Sequence, residues 1–394
     1  MTEGQNKITY VLFGATGNLA QIKIMPALCI LFQKKIVDSD LEIIAFGRRD
    51  WGDNEYREFI KPSLSKFDSG VVEGFLQRVY FVRGSFEEQE SFENLKSKIG
   101  NTKAYFHLSV RPEDYPCIIK NLGQSGLNGK IIVEKPFGKS FETAESLENL
   151  IENYFEETDI LRVDHYLGKI GLGEIINKRK TDQEFELKLN NEHVSRIVCR
   201  LREVIDIQGR GEFYDKVGAF IDVGQNHSFE IIATLLLNLD QDQNMARTEV
   251  IESLEFMPRS LIRAQYEGYK DEKGVSPDST TETYFRLALQ SNLPQFTGIE
   301  IIIEAGKALE IGERREELEI NYNSGEKFIF NIDIPKHYNA YETVIESALT
   351  GNTSVFVGKA EILALWRLAD EIRDNMNNTP LVLYKMGVGP EFTN

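Results

Sequence analysis

Two short stretches concentrate the residue types that move protons and hold anions. "RVDHYLGK" (Arg162–Lys169) puts Asp164, His165, Tyr166 and Lys169 within six residues, directly after an apolar run, "ILRV". "GRGEFYDKVGAFIDVGQNHSFEII" (Gly209–Ile232) is glycine-rich and polar, then turns into an apolar helical segment, "FEIIATLLL", with Asp222 and His227 five residues apart at the transition. The chain has only five histidines, and two of them, His165 and His227, sit in these stretches. One histidine is more often a satisfied structural group than a ligand; two in such company point to chemistry. Oxidation of a hydroxyl to a carbonyl needs a base for the proton and an acceptor for the hydride. Histidine suits the base role because its pKa lies near neutrality, and an adjacent carboxylate fixes its tautomer and stabilises the imidazolium. Asp164 and His227 form such a pair if the fold brings them together.

A third stretch, "FGATGNLAQIK", sits where a first strand hands over to a first helix. Gly14 permits a tight turn. Gly17 lets the backbone approach a pyrophosphate at the helix N-terminus, where free N–H groups and the dipole favour anions. Ala20 allows close helix–strand packing. The spacing is GxxGxxA, short of the full GxGxxG, and a plain strand–turn–helix junction is the competing reading. The second strand ends "AFGRRDW" where an NAD-specific fold places an acid. Arg48 and Arg49 suit a 2′-phosphate and hence NADP; solvated surface arginines, or a surface ion pair with Asp50, are the alternatives.

The elements that must position these groups fall into two halves. "KITYVLF", "LEIIAFG", "VYFVRG", "KAYFHLSV" and "KIIVEKPFG" read as strands alternating with helices, among them "LAQIKIMPALCILFQKK" and "ETAESLENLIENYFEE". The latter carries Leu147, Leu150, Ile151 and Tyr154 on one face. Such alternation predicts a parallel sheet covered on both sides. After about residue 165 come "SRIVCRLREV", "TYFRLALQS", "IEIIIEAGK", "LEINYN" and "EKFIFNIDI", with few long helices between, which predicts a mostly antiparallel sheet. Two amphipathic helices close the chain, with stripes of Tyr341, Val344, Ile345, Ala348 and Leu349, and of Ile362, Leu365, Trp366 and Ala369.

Bulk properties narrow the partners. At 394 residues the chain suits two large domains. A net charge of −17 repels nucleic acid and anionic membranes, so any anionic ligand needs a local cluster of cations. Cys29, Cys117 and Cys199 are far apart and form no CxxC, which fits a reducing cytoplasm without disulfides or a zinc site. "MTEGQNK" has no apolar core of a signal peptide, and "IMPALCILF" and "IIATLLLNL" are too short to span a bilayer.

Taken together, these motifs resemble the glucose-6-phosphate dehydrogenase family. "GATGNLAQIK" looks like its "GASGDLAxxK" turn, "VEKPFGKS" its "EKPFG", and "RVDHYLGK" its "RIDHYLGK". "GRGEFYDKVGAFIDVGQNH" is similar to "GRGGYFDxxGxxRDVxQNH", "EAGKAL" to "xxGKxL", and "YKMGVGPEF" to the family's closing segment. The matches run in the family's order from residue 14 to the end. The resemblance implies an α/β plus α+β architecture, with a Rossmann-like dinucleotide-binding domain over 1–162. A sugar-phosphate-binding α+β domain with a large, mostly antiparallel sheet and helices follows over 163–394. It implies oxidation of glucose 6-phosphate, or a close aldose phosphate, at C1, with NADP (NAD being possible) as acceptor and no metal. It implies that His227 is the base and Asp164 orients it, with Lys135 between cofactor and sugar. His165, Tyr166, Lys169 and Lys307 hold the 6-phosphate, and Glu203 and Asp222 bind sugar hydroxyls. Gly14, Thr16, Gly17, Asn18, Leu19, Arg48 and Lys135 contact the cofactor. The Lys135–Pro136 bond is expected to be cis.

The chain also departs from the pattern. It is shorter than the family between "LEINYN" and "HYNAYE", where strands used for subunit contact are expected, which weakens the expectation of a homodimer. Asn18, Ile170, Glu212 and Gly224 replace the usual residues in their motifs. Val110 and Arg111 replace the small and Pro residues of a "LAxPP" loop bordering the nicotinamide. "GKALEIGERREEL" carries a short insertion after the phosphate lysine. Two other readings follow: a specialised relative acting on a modified sugar phosphate, at another carbon or without net oxidation, and a non-catalytic sugar-phosphate sensor.

Overall fold

The computed structural model describes residues 7–36, 41–309, 315–333 and 340–390 and divides the chain into two compact units. The insertion expected after Lys307 falls largely on residues 310–314, outside the described residues.

The first unit is built on β1 (Ile8–Phe13), β2 (Leu41–Gly47), β3 (Val79–Arg83), β4 (Lys103–Leu108), β5 (Gly129–Glu134) and β6 (Ile160–Val163). Their order is β3-β2-β1-β4-β5-β6, all parallel, the doubly wound arrangement that reverses direction between β1 and β4. Tyr10, Val11, Leu12 and Phe13 are all buried, as a strand covered on both faces requires. The Rossmann-like half is thus as expected, strand for strand.

This unit does not end where a single cut after residue 162 puts it. It runs to Gly168 and resumes later in the chain, up to Val357. The returning helix, Ala340–Thr350, lays Tyr341, Val344, Ile345 and Ala348 into the same apolar cluster as Tyr10, Ile132 and Val163. The strand β14 (Phe356–Val357) then pairs antiparallel with β6. A helix with one apolar stripe must bury it, and this sheet face is what the stripe fits.

The helix Phe141–Glu152 also differs from its sequence reading. Ala144, Glu148 and Ile151 face inward, Leu147 and Leu150 are half-buried, and Tyr154 lies beyond the helix and exposed. The cause is Arg162 in the middle of β6, fully buried. Its guanidinium donates to Glu148 at 2.6–3.0 Å and to Glu157 at 2.8 Å. A buried cation needs a carboxylate, so the helix turns Glu148 inward.

The second unit holds a large mixed sheet. Its strands are β7 (Val194–Arg202), β8 (Leu254–Phe256), β9 (Ile262–Tyr266), β10 (Tyr284–Ser291), β11 (Glu300–Gly306), β12 (Arg315–Tyr322), β13 (Lys327–Asn331) and β15 (Leu381–Tyr384). The order is β13-β12-β7-β11-β10-β9-β15, with β8 on β10. The β7–β11 and β9–β15 pairs are parallel and the others antiparallel. One row of β7 residues, Arg196, Arg200 and Arg202, forms a ladder of ion pairs with Glu300, Glu304, Glu317 and Glu319 on its neighbours. This half carries more helix than its sequence suggests. Ile170–Thr181, Gln183–Lys188 and Gln243–Ser253 are helical, and Phe220–Ser228 is a wide, π-type turn of helix running into Phe229–Leu236, the wholly buried helix that the sequence does predict. Ile170–Thr181 escapes a periodicity reading because two of its inward positions are Gly171 and Arg179. A Cβ at Gly171 would lie 2.5 Å from the carbonyl oxygens of Asn331 and Ile332, so only glycine lets the helix approach so closely.

Candidate active site

In a doubly wound sheet, ligands sit beyond the carboxyl ends of the strands at the switch point. A cleft of about 510 Å³ opens there, and the first unit alone lines it. Gly14 ends β1 with φ +73°, and a Cβ on it would lie 2.1 Å from the Ser109 carbonyl oxygen just beyond β4. Glycine is therefore the residue this turn can accept. Gly17 N–H donates to the Gly14 carbonyl at 2.9 Å, and the Tyr56 hydroxyl donates to the Ala15 carbonyl at 3.0 Å, which fixes the loop from below. Gly14, Thr16, Gly17, Asn18 and Leu19 all line the cleft. The chain continues as a π-type turn, Ala20–Ile24, and then the α-helix Met25–Gln33. A glycine-pinched turn facing a cleft at a helix start fits the anionic bridge of a dinucleotide.

The two arginines after β2 part ways. Arg48 lines the cleft. Arg49 stacks its guanidinium 4.4 Å from the centre of the Trp51 ring, and Asp50 pairs with Arg83 at 2.8 Å. Arg48 is thus the arginine that faces the cleft.

At the other end of the same cleft stand Glu134, Lys135, His165 and Tyr341, with Val110, Arg111 and Asp114 on the rim. The Lys135–Pro136 bond is cis, as expected. Asp164 is buried, and its carboxylate accepts from the backbone N–H of Tyr166 at 2.8 Å. The His165 ring meets Tyr166 edge-on at 5.2 Å and stacks on Tyr341 at 6.1 Å with planes 13° apart. Sequence reasoning missed Tyr341 as a site residue, because it read only as the first apolar position of a helix stripe. It missed Glu134 because the motif drew attention to the lysine beside it.

The second unit gathers Lys307, Glu203 and Asp222. The buried Lys307 ammonium pairs with the Glu203 carboxylate, stands 3.5 Å from Asp222, and lies 5.8 Å from the centre of the Tyr214 ring. Lys169 pairs with Glu316 and has Asp333 at 4.0 Å. Neither carboxylate was anticipated; both lie far along the chain, at the end of the sheet that Lys169 faces. His227 is buried, and its backbone N–H donates to Asn226 Oδ1 at 2.6 Å. Asp222 and His227 share the π-type segment Phe220–Ser228, a widened turn often found where side chains are aimed at a site.

Comparison with known proteins places the chain in a family. The family model "Glucose-6-phosphate dehydrogenase, NAD binding domain" matches residues 11–172, and "Glucose-6-phosphate dehydrogenase, C-terminal domain" matches 177–339. The glucose-6-phosphate 1-dehydrogenase of Borreliella burgdorferi is 32% identical over 82% of this chain and 72% of its own. The chain belongs to the glucose-6-phosphate dehydrogenase family. It is accordingly an oxidoreductase of the NAD(P)-dependent kind. The Helicobacter pylori J99 glucose-6-phosphate 1-dehydrogenase is 29% identical over 95% of both chains. A solved glucose-6-phosphate dehydrogenase in complex with glucose 6-phosphate shares the fold with a TM-score of 0.91 at 23% identity, over 99% of this chain and 96% of that one.

Within the family frame, the motif departures have local explanations. The room at Gly224 is filled by aromatic rings: a Cβ there would lie 2.6 Å from Phe285 and 2.7 Å from Phe220, which pack edge to face. Glu212 is exposed, and Ile170 opens the helix Ile170–Thr181. Arg111 pairs with Asp114 at 3.2 Å on the cleft rim. Among the described residues no helix is long and apolar enough to cross a membrane.

Proposed function

We propose that the protein oxidises glucose 6-phosphate at C1 to the 6-phosphogluconolactone, with NADP as the acceptor. The observation that carries this reading is the single cleft at the switch point. It joins the glycine turn and Arg48 at one end to Lys135 and His165 at the other. Bound NADP would supply the hydride acceptor. The glycine turn would receive its pyrophosphate, and Arg48 its 2′-phosphate through a charge-assisted contact.

The chain's own residues then divide the remaining work. His227 takes the proton of the C1 hydroxyl as general base, and Asp164 orients the imidazole and stabilises its cation. His165, Tyr166, Lys169 and Lys307 bind the 6-phosphate. Each of the two lysines has carboxylate partners, Glu316 and Asp333 for one, Glu203 and Asp222 for the other. A 6-phosphate would compete with these carboxylates for the two lysines. Glu203 and Asp222 accept hydrogen bonds from the sugar hydroxyls, and Lys135 lies between sugar and cofactor.

The Arg111–Asp114 pair on the rim supports a second reading, a modified sugar phosphate as substrate. Absorbance at the NADPH band separates the two. Purified protein is mixed with NADP or NAD and with glucose 6-phosphate, free glucose or other sugar phosphates. Rapid reduction with glucose 6-phosphate supports the leading reading. Binding of nucleotide without reduction by any of them overturns it.

A further inference from the structure

Polar side chains interrupt the sheet face that the helix Ala340–Thr350 covers. His107 on β4 registers with Leu12 on one side and Ile132 on the other, which puts Tyr10 of β1, His107 and Glu134 of β5 on one apolar face. Tyr10 and His107 are fully buried. The Tyr10 hydroxyl contacts His107 Nδ1, and His107 Nε2 lies 2.7 Å from Glu134 Oε1. The second oxygen of Glu134 accepts from the Tyr341 hydroxyl at 3.1 Å. Burial, and then the charge of Glu134, push both tyrosine hydroxyls well above their ordinary pKa, so both keep their protons. The Tyr341 hydroxyl donates to the Glu134 carboxylate, and in the Nε2–H tautomer the His107 ring donates to Glu134 and accepts from Tyr10.

Hydrocarbon would fill this face with less desolvation cost. What the polar chain does is fix Glu134, and Glu134 is a joint. Its backbone leads directly into Lys135. Its carboxylate holds Tyr341, whose ring stacks on His165. Glu134, Lys135, His165 and Tyr341 line the cleft; His107 and Tyr10 lie beneath it.

We propose that His107 is a positioning residue for the sugar phosphate: it fixes the Glu134 carboxylate and through it Lys135 and the Tyr341–His165 pair. The proposal rests on the assignment of Lys135 and His165 to the substrate. The test is steady-state kinetics of the full chain with glucose 6-phosphate and NADP. His107→Leu removes both hydrogen bonds, and His107→Gln keeps an N–H that can reach Glu134. His107→Leu is expected to raise KM for glucose 6-phosphate about tenfold, with kcat within about threefold and KM for NADP within about twofold of the parent. His107→Gln is expected to restore KM to within about threefold. A purely structural role would lower the Tm and leave the selective KM change absent. A folded His107→Leu with parental KM, or with both KM values raised alike, overturns the proposal. If leucine at 107 prevents folding, Tyr10→Phe deletes one buried hydroxyl and should raise the same KM about two- to fourfold; an unchanged KM overturns the proposal again. An inactive parent would sink the dehydrogenase reading and this proposal together, whereas an active parent with an indifferent His107 sinks this proposal alone.

Discussion

His227 and Arg48 carry the two claims that single substitutions can decide. A general base contributes about 10²–10⁴-fold to turnover, so His227→Asn should lower kcat by that order and leave KM for glucose 6-phosphate nearly unchanged. Stopped-flow or steady-state NADPH formation reads this directly, and an unaltered kcat removes His227 from the mechanism. Arg48 lines the cleft while Arg49 is stacked on Trp51. Arg48→Ala should therefore weaken NADP about tenfold or more with little change in NAD, and Arg49→Ala should do neither. Equal losses for both cofactors on Arg48→Ala would mean that the arginine does not read the 2′-phosphate. Residue by residue, much of the site is legible in sequence because the glycine turn, "EKPFG" and "DHYLGK" each keep their chemistry within a few positions. His107 is not legible. It sits inside "KAYFHLSV", which reads as a strand, and its partners are 97 and 27 positions away.

Among the elements, strands were easier to read than helix faces. An apolar run bounded by glycine or charge is a local signal, and β1 through β5 follow it. Which face a helix buries depends on what it meets. Glu148 points inward because Arg162 waits on β6, and no periodicity can state that. The β7–β12 pair offers a test at this scale. Burial opposes ionisation of Glu319, but hydrogen bonds from Arg200 and Lys327 hold its carboxyl near pH 2, down from 4.5. A depressed carboxylate pKa adds stability that is fully present above its unfolded value and is lost as pH falls toward the folded one. Arg200→Met should therefore lower the urea midpoint at pH 7, and the gap from the parent should narrow between about pH 4.5 and pH 2. A gap of constant size across that range would detach Arg200 from the Glu319 titration.

For the molecule as a whole, the three thiols report on intactness. Cys29 and Cys199 are fully buried, and Cys117 is half-buried. Burial pushes the Cys29 thiol up to about 12 and raises Cys199 and Cys117 as well. A thiol reagent at pH 8 should label Cys117 first in the folded protein and reach Cys29 and Cys199 only in denaturant. Mass spectrometry of labelled peptides checks this, and prompt labelling of Cys29 in the native state would show that the cluster around it opens.

The helix Ala340–Thr350 and β14 also have a consequence for biosynthesis. The sheet they complete is otherwise built by residue 168, yet its covering stripe lies far downstream. At roughly 5–20 residues per second, a ribosome needs about ten to forty seconds to deliver that stripe after β6 has emerged. During this interval the nascent chain carries a bare apolar face, so its yield in the cell should depend on chaperones and on translation speed through the intervening segment.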